Sequence, residues 1–288
     1  MKFTVRLCLA AVALLSASAC YDNGTKEDCV GLSCPPGLFW PDGGEVRIQY
    51  IQLPDGTDWR ILTAFFIGEQ DPERIAPPAL GHCAPDQNFA ANSRTYVDVG
   101  DSVTIDMGDQ TITAPKVMGD AAVDFIGRRH DLAYIIQTYD DAQPTFFNAE
   151  HSATTANPMP FSDRLKGIYV PPKLDVKSPA GTGVVAIKRH QDLLVEWKEV
   201  EPPDPGITTA GVILFLKASG PPEPPITCVG PNNGSFLVPA DVIDNVIPQE
   251  GGIIQVGTAS DQATLTDEGR RIDLWGTNCI AKLYSLVD

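Results

Sequence analysis

"DLLVEWKEV", residues 192–200, alternates apolar and polar side chains, with Leu193, Val195 and Trp197 on one side and Glu196 and Lys198 on the other. A period of two belongs to a β-strand with one dry face. The same rhythm returns in "EVRIQY" through Val46, Ile48 and Tyr50 against Arg47 and Gln49, and in "SVTIDM" through Val103, Ile105 and Met107. "GVILFLKA" differs: it is apolar at every position from Val212 to Leu216, which predicts a central strand buried on both faces. Most of the 25 glycines and 25 prolines lie between such runs, in "PDGT", "VGDS", "EPPDPG", "SGPPEPP" and "GPNNGS". Short strands punctuated by turns predict an all-β protein of sheet packed on sheet.

One helix interrupts this pattern. In "FLVPADVIDNVIPQ", Pro239 suits a first helical position, Val242, Ile243, Val246 and Ile247 gather on one side, and Pro248 ends the run. Two turns do not hold in water alone, so the helix is expected to pack on a sheet or close one end of a sandwich. Proline and glycine concentrate in "YVPPKLDVKSPAGTG", residues 169–183, ahead of a fresh strand pattern at Val184. The expectation is therefore two antiparallel β-sandwich units, Ig-like or jelly-roll-like, at 45–170 and 184–288, joined by a linker at 171–183. The short helix belongs to the C-terminal unit, and a single larger sandwich is the alternative.

The first residues carry an address. Lys2 and Arg6 precede an apolar run from Leu7 to Leu15 and the small residues Ala17-Ser18-Ala19, which reads as a signal peptide over 1–19. The run falls short of the about 20 apolar residues that span a bilayer. Cys20 follows directly and is the candidate lipid-attachment residue, with the polar stretch 20–44 as a Cys-containing leader. The expected location is the cell envelope, as an outer-membrane lipoprotein held to the membrane through Cys20. A periplasmic or freely secreted product is the alternative.

Cysteine parity bears on this choice. Cys8 lies in the signal, leaving Cys20, Cys29, Cys34, Cys83, Cys228 and Cys279. Six thiols pair completely in an oxidising compartment, and five leave one free. Cys29 and Cys34 are close enough to close a small loop, Cys228 and Cys279 share the C-terminal unit and form the second expected pair, and Cys83 is then the free thiol. No C-x-x-C occurs, so a zinc site is not expected.

Composition excludes one partner class. The chain has 21 basic and 37 acidic residues and a net charge of −16, which becomes −18 when Lys2 and Arg6 leave with the signal. Such a chain repels phosphate backbones, so nucleic-acid binding is not expected.

The order "GGEVRIQYIQLPDGT…AFFIGEQDP", "YVDVGDSVTI", "LLVEWKEV", "ITCV…NNGSFLVPADVIDNV" and "IDLWG" resembles a group of envelope lipoproteins of myxobacterial type with β-sandwich modules. The resemblance implies a lipoprotein signal, a polar leader and β-rich modules, and brings no catalytic residues with it.

Searching for chemistry directly finds no G-x-S-x-G, H-E-x-x-H, Walker or EF-hand pattern, and no cofactor is expected. His130-Asp131 in "GRRHDLAY" and Glu150-His151 supply a base and an orienting carboxylate on paper, the hydrolase alternative, with Ser152 or Ser162 as nucleophile. Neighbours in a strand point to opposite faces, however, so His130 and Asp131 do not pair there. Asp98, Asp101, Asp106 and Asp109 invite calcium, but Gly100 and Gly108 make turns the better reading. Among four tryptophans, Trp197 is in phase with the core, and Trp40 and Trp59 beside Pro-Asp-Gly turns are the candidate ligand-contact aromatics. The expectation is a non-enzymatic envelope module that holds a surface polysaccharide or a protein partner. A freely secreted, disulfide-bonded carbohydrate-binding protein is a further alternative.

Overall fold

The structure, a computed structural model, describes residues 43–67, 81–85, 95–107, 110–123, 130–139, 149–157, 164–180, 183–199, 207, 209–217, 224–265 and 271–288. The first part of the chain forms β1 (Gly44–Gln52), β2 (Asp58–Phe66), β3 (His82–Pro85), β4 (Ser102–Asp106), β5 (Thr111–Met118), β6 (Leu132–Tyr139), β7 (Ala149–Thr155) and β8 (Arg164–Val170). The rest forms β9 (Val176–Ser178), β10 (Val185–Lys188), β11 (Leu193–Trp197), β12 (Thr209–Lys217), β13 (Ile226–Pro231), β14 (Ser235–Val238), helix α1 (Ala240–Asn245), β15 (Gly252–Leu265) and β16 (Arg271–Val287). The protein is all-β, with one large sheet, one small sheet and a single short helix among the described residues.

The large sheet runs in the order β3-β13-β12-β15-β16-β1-β2-β6-β5-β4-β7-β8, and β10 also pairs with β16. The small sheet is β14-β11-β9. Most ladders are antiparallel, as expected, but β16 runs parallel to both β1 and β10. Two units do not therefore stand apart. The last strand of the chain returns to pair with the first, Gly44 opposite Ile272 through Gln52 opposite Ile280.

Both cores lie on the same face of β16, one after the other along its length. Ile272 and Leu274 belong to a core with Val46, Ile48, Leu62, Phe66, Val103, Ile105 and Tyr134. Tyr284, with Ile254 and Val256 of β15, belongs to a second core with Val195, Trp197, Ile213, Phe215, Val238 and Ile243. The large sheet curls so that β8 crosses the first core against β16, and Asn278 Nδ2 donates to Pro171 O at 3.2 Å. Ser260 Oγ donates to Tyr169 O at the same crossing. A Cβ on Gly276 would collide with that carbonyl, so only glycine fits where the two backbones meet. The small sheet and α1 cover the second core.

The expected linker is part of this second core. Leu174 is buried in it, and β9 pairs with β11 through Ser178 opposite Glu196 and Val176 opposite Trp197. In the other direction β3, from the first segment, pairs with β13. The alternations in 46–50, 103–107 and 193–197 point inward as read, while "GVILFLKA" corrects its expectation. Ile213 and Phe215 are buried, but Val212, Leu214 and Leu216 are partly exposed, because the small sheet covers only one face of β12. Helix α1 lies where its pattern puts it, with Val242, Ile243 and Ile247 buried. Pro239 is its N-cap rather than its first residue, and has no side chain to offer. Asp192 Oδ1 accepts the Ala240 N–H at 2.8 Å instead.

Candidate functional site

The cysteines pair differently from the sequence expectation. Cys83 and Cys228 face each other across β3 and β13 with Cα atoms 4.0 Å apart and form a disulfide, and Cys279 is the free thiol among the described residues. Cys228 and Cys279 cannot meet. Two strands, β12 and β15, separate theirs, which is about 14 Å at ordinary strand spacing, and their side chains sit on opposite faces of the sheet. Cys279 instead lies beside Ile51 of β1 and Gly257 of β15, where burial pushes its thiol up to about 12. Burial thus favours its neutral thiol form. Cys20, Cys29, Cys34 and Trp40 lie outside the described residues.

The histidines are held in different places. His130 is buried with its ring 4.7 Å from Phe65 and Nδ1 3.4 Å from the Tyr96 hydroxyl, while its neighbour Asp131 is exposed. His151 is buried on β7, between β4 and β8. Phe65 and Ala133 beside His130 point away from the first core, so His130 occupies the sheet's opposite face. Ser152 is buried on β7; Ser162 and the Glu150 side chain fall outside what is described.

The acidic positions build a turn. Asp98 Oδ1 accepts the Gly100 N–H at 2.9 Å, and its carboxylate receives Lys116 Nζ at 3.1 Å. Those bonds, the Gly100 amide first, hold Asp98 below the usual carboxylate range. The Tyr134 hydroxyl accepts the Val99 N–H at 2.8 Å and donates to Gly100 O, and its burial pushes it up to about 12. Asp109 lies outside the described residues.

The described tryptophans lie in two places. Trp197 is core, its Nε1 donating to Asn232 Oδ1 at 3.0 Å. Trp59 is partly exposed and packs with Leu53 and Ile253 around Ile51, Ile61 and Ala281, on the face of the large sheet turned away from both cores. Trp275, without clear phase in sequence, is partly exposed on that same face.

This second face carries the most concentrated chemistry among the described residues. Where β2, β1 and β16 lie side by side, the register sets Thr63 opposite Arg47 and Arg47 opposite Trp275. One step along, Gln49 stands opposite Thr277; one step the other way, Glu45 stands opposite Asp273. Arg47 Nη2 pairs with Glu45 Oε1 at 3.0 Å, and its guanidinium carbon is 5.7 Å from the centre of the Trp275 ring. Glu45, Gln49, Thr63, Asp273 and Thr277 are buried, whereas Arg47 and Trp275 keep part of their surface in solvent. Within the row, Arg47 Nε and the hydroxyls of Thr63 and Thr277 are buried without a hydrogen-bond partner. Sequence reading missed the row because it took Arg47 and Gln49 as a wet strand face, and a parallel partner from the far end of the chain leaves no local signal.

A second polar feature was also missed. His190, at φ 57, is the one non-glycine residue with positive φ among those described. Asp244 of α1 brackets it, accepting the His190 N–H at 3.0 Å with one oxygen and lying 2.8 Å from Nδ1 with the other. The backbone N–H of His190 is the main reason the Asp244 carboxyl sits below its ordinary value, and the pair ties the helix to the β10–β11 turn.

No family model matches the chain, and no curated protein matches it at significant similarity.

Proposed function

We propose that the protein is an exported cell-envelope lipoprotein, anchored through Cys20, that acts as a binding module for a surface polymer or a partner protein. A disulfide fits an oxidising compartment, and no helix among the described residues is long and apolar enough to cross a membrane. The observation that carries the anchor is cysteine parity. With Cys83 and Cys228 joined and Cys279 sealed in the sheet, the cysteines left between 20 and 288 are Cys20, Cys29 and Cys34. A local Cys29–Cys34 bridge leaves Cys20 single, as a lipid-bearing cysteine must be. The row on the sheet's second face supports the binding half of the reading.

Intact mass of the mature chain from a Gram-negative host, with thiols alkylated under denaturing conditions before reduction, tests the anchor. A product beginning at Cys20 with added diacylglyceryl mass and one alkylated thiol, Cys279, is expected. An unlipidated product with two alkylated thiols, or a disulfide-linked dimer, overturns the anchor and leaves a secreted protein.

A further inference from the structure

We infer that the protein pairs with a second copy of itself through the open edge of β14, extending the small sheet across a two-fold axis. The inference goes beyond the binding-module reading and does not depend on it. It begins from the direction of one residue's backbone groups. β14 pairs with β11 on one side, Leu193 opposite Val238 through Glu196 opposite Ser235, and among the described residues no strand lies on its other side. The Trp197 N–H donates to Gly234 O at 2.9 Å, which makes 197 and 234 a hydrogen-bonded pair. Hydrogen-bonded and non-hydrogen-bonded pairs alternate along an antiparallel ladder, so Leu194 and Leu237 form a pair of the second kind. Their backbone groups turn away from each other. Leu194 O accepts the Ser178 hydroxyl at 2.9 Å from the β9 side, and the Leu237 N–H and C=O aim at the open edge. The edge is closed on either side of Leu237. Asn233 Oδ1 accepts the Ser235 N–H at 3.3 Å, and Pro239 has no N–H to offer while its carbonyl accepts from Val242 and Ile243.

One donor and one acceptor on a single residue suit a second Leu237 running antiparallel, since each then donates to and accepts from the other. The side chains agree. Leu237 is 51 % exposed and Leu194 45 %, and both stand on the outer face of the small sheet, so the pairing sets Leu194, Leu237 and their copies in one apolar row. Charge does not oppose it, although the chain carries −16. The pairing keeps Glu196 of one copy and Asp192 of the other three strand spacings apart, about 14 Å, beyond the screening length of about 8 Å at physiological salt. The other marginal strands are guarded by charge or proline: β3 holds Pro85, β8 Arg164 and Lys166, β9 Lys177 and β10 Lys188. β14 is Ser-Phe-Leu-Val and has neither. A pair of backbone bonds and a row of leucines bury far less than the about 1,200 Å² of a stable interface, so the pairing is weak and reversible.

Sedimentation of the purified mature chain between about 5 and 500 µM tests this. A reversible monomer–dimer equilibrium is expected, and Leu237→Lys should weaken it at least about tenfold. That variant should melt with the parent, since the side chain it replaces is exposed. Leu237→Cys under mild oxidation should join position 237 of two copies, whose Cα atoms stand about 5.5 Å apart in the pairing. Leu194→Cys, about 14 Å from its copy, should not crosslink. Mass spectrometry of the linked peptides separates these positions from the native cysteines. A monomer at every concentration, a dimer indifferent to Leu237→Lys, or crosslinking at 194 as readily as at 237 overturns the inference, the last because it means stacked leucine faces rather than joined edges. The tether is judged by mass and thiol count and the edge by sedimentation, so either can fail alone.

Discussion

The two cores share β16 but are closed by opposite means. Over the first, β8 lies backbone against backbone on β16, held by Ser260 and Asn278 and admitted by the missing side chain of Gly276. Over the second, the cover is a three-stranded sheet and a helix of six residues, each marginal by itself. Fasteners compensate: Asp192 on the Ala240 amide, Asp244 on His190, Lys282 Nζ on Pro179 O at 2.5 Å, and the Tyr284 hydroxyl on Pro248 O at 3.0 Å, while the Cys83–Cys228 disulfide staples the β3–β13 edge of the large sheet beneath. Close approach of large elements demands absence of atoms, while a small cover demands specific bonds. The first core should accordingly fail through one inserted methyl group, and the second by degrees.

The sharpest way to break that contrast is Gly276→Ala, which puts a Cβ into the Tyr169 carbonyl. It should cost about 4 kcal/mol or more in urea unfolding, because the obstruction is backbone and does not rotate aside. A loss below about 1 kcal/mol would mean that β8 slides and the first closure is softer than argued. Cys228→Ala comes next, at about 3 kcal/mol for a bridge between residues 145 apart in sequence. Exchange should rise first in β3 and β13, and even loosening of both cores would show that the fasteners are not local. Asp192→Ala should cost about 1 kcal/mol and raise amide exchange at the start of α1.

The smallest expected effect is a titration. The Asp244 carboxyl sits below its ordinary value of 3.8, chiefly through the His190 amide. Stability from a depressed carboxyl is fully present above that ordinary value and is lost as pH falls through the lower folded one. Melting of the parent should therefore decline more steeply than that of Asp244→Asn once pH drops below 3.8. Parallel acid curves would remove this pair from the set of fasteners.

Fold class was legible because burial on one sheet face is written locally. Val103, Ile105 and Met107, like Val195 and Trp197, alternate within a few residues and are buried where their phase puts them. Helix α1 was legible from the spacing of Val242, Ile243 and Ile247, but its cap was not, since Asp192 lies 48 residues earlier. The seam at 171–183 misled for a related reason: proline and glycine mark a change of direction, and whether the turning chain also joins a sheet depends on β11, which arrives later. The pairing of Cys83 rather than Cys279 with Cys228 depends on strand order, which periodicity does not encode. The candidate site was the least legible part. Arg47 and Trp275 become neighbours only through a parallel pairing between the two ends of the described chain.

That pairing also sets a schedule. β1 is threaded first and its partner β16 more than two hundred residues later, yet Ile272 and Leu274 complete one core and Tyr284 the other. Contacts so distant in sequence form slowly. A chain that emerges N-terminal end first can build hairpins such as β1–β2 and β4–β5 early, but can finish neither core until its last strand is free to pair. The topology leaves both cores open until the chain is whole.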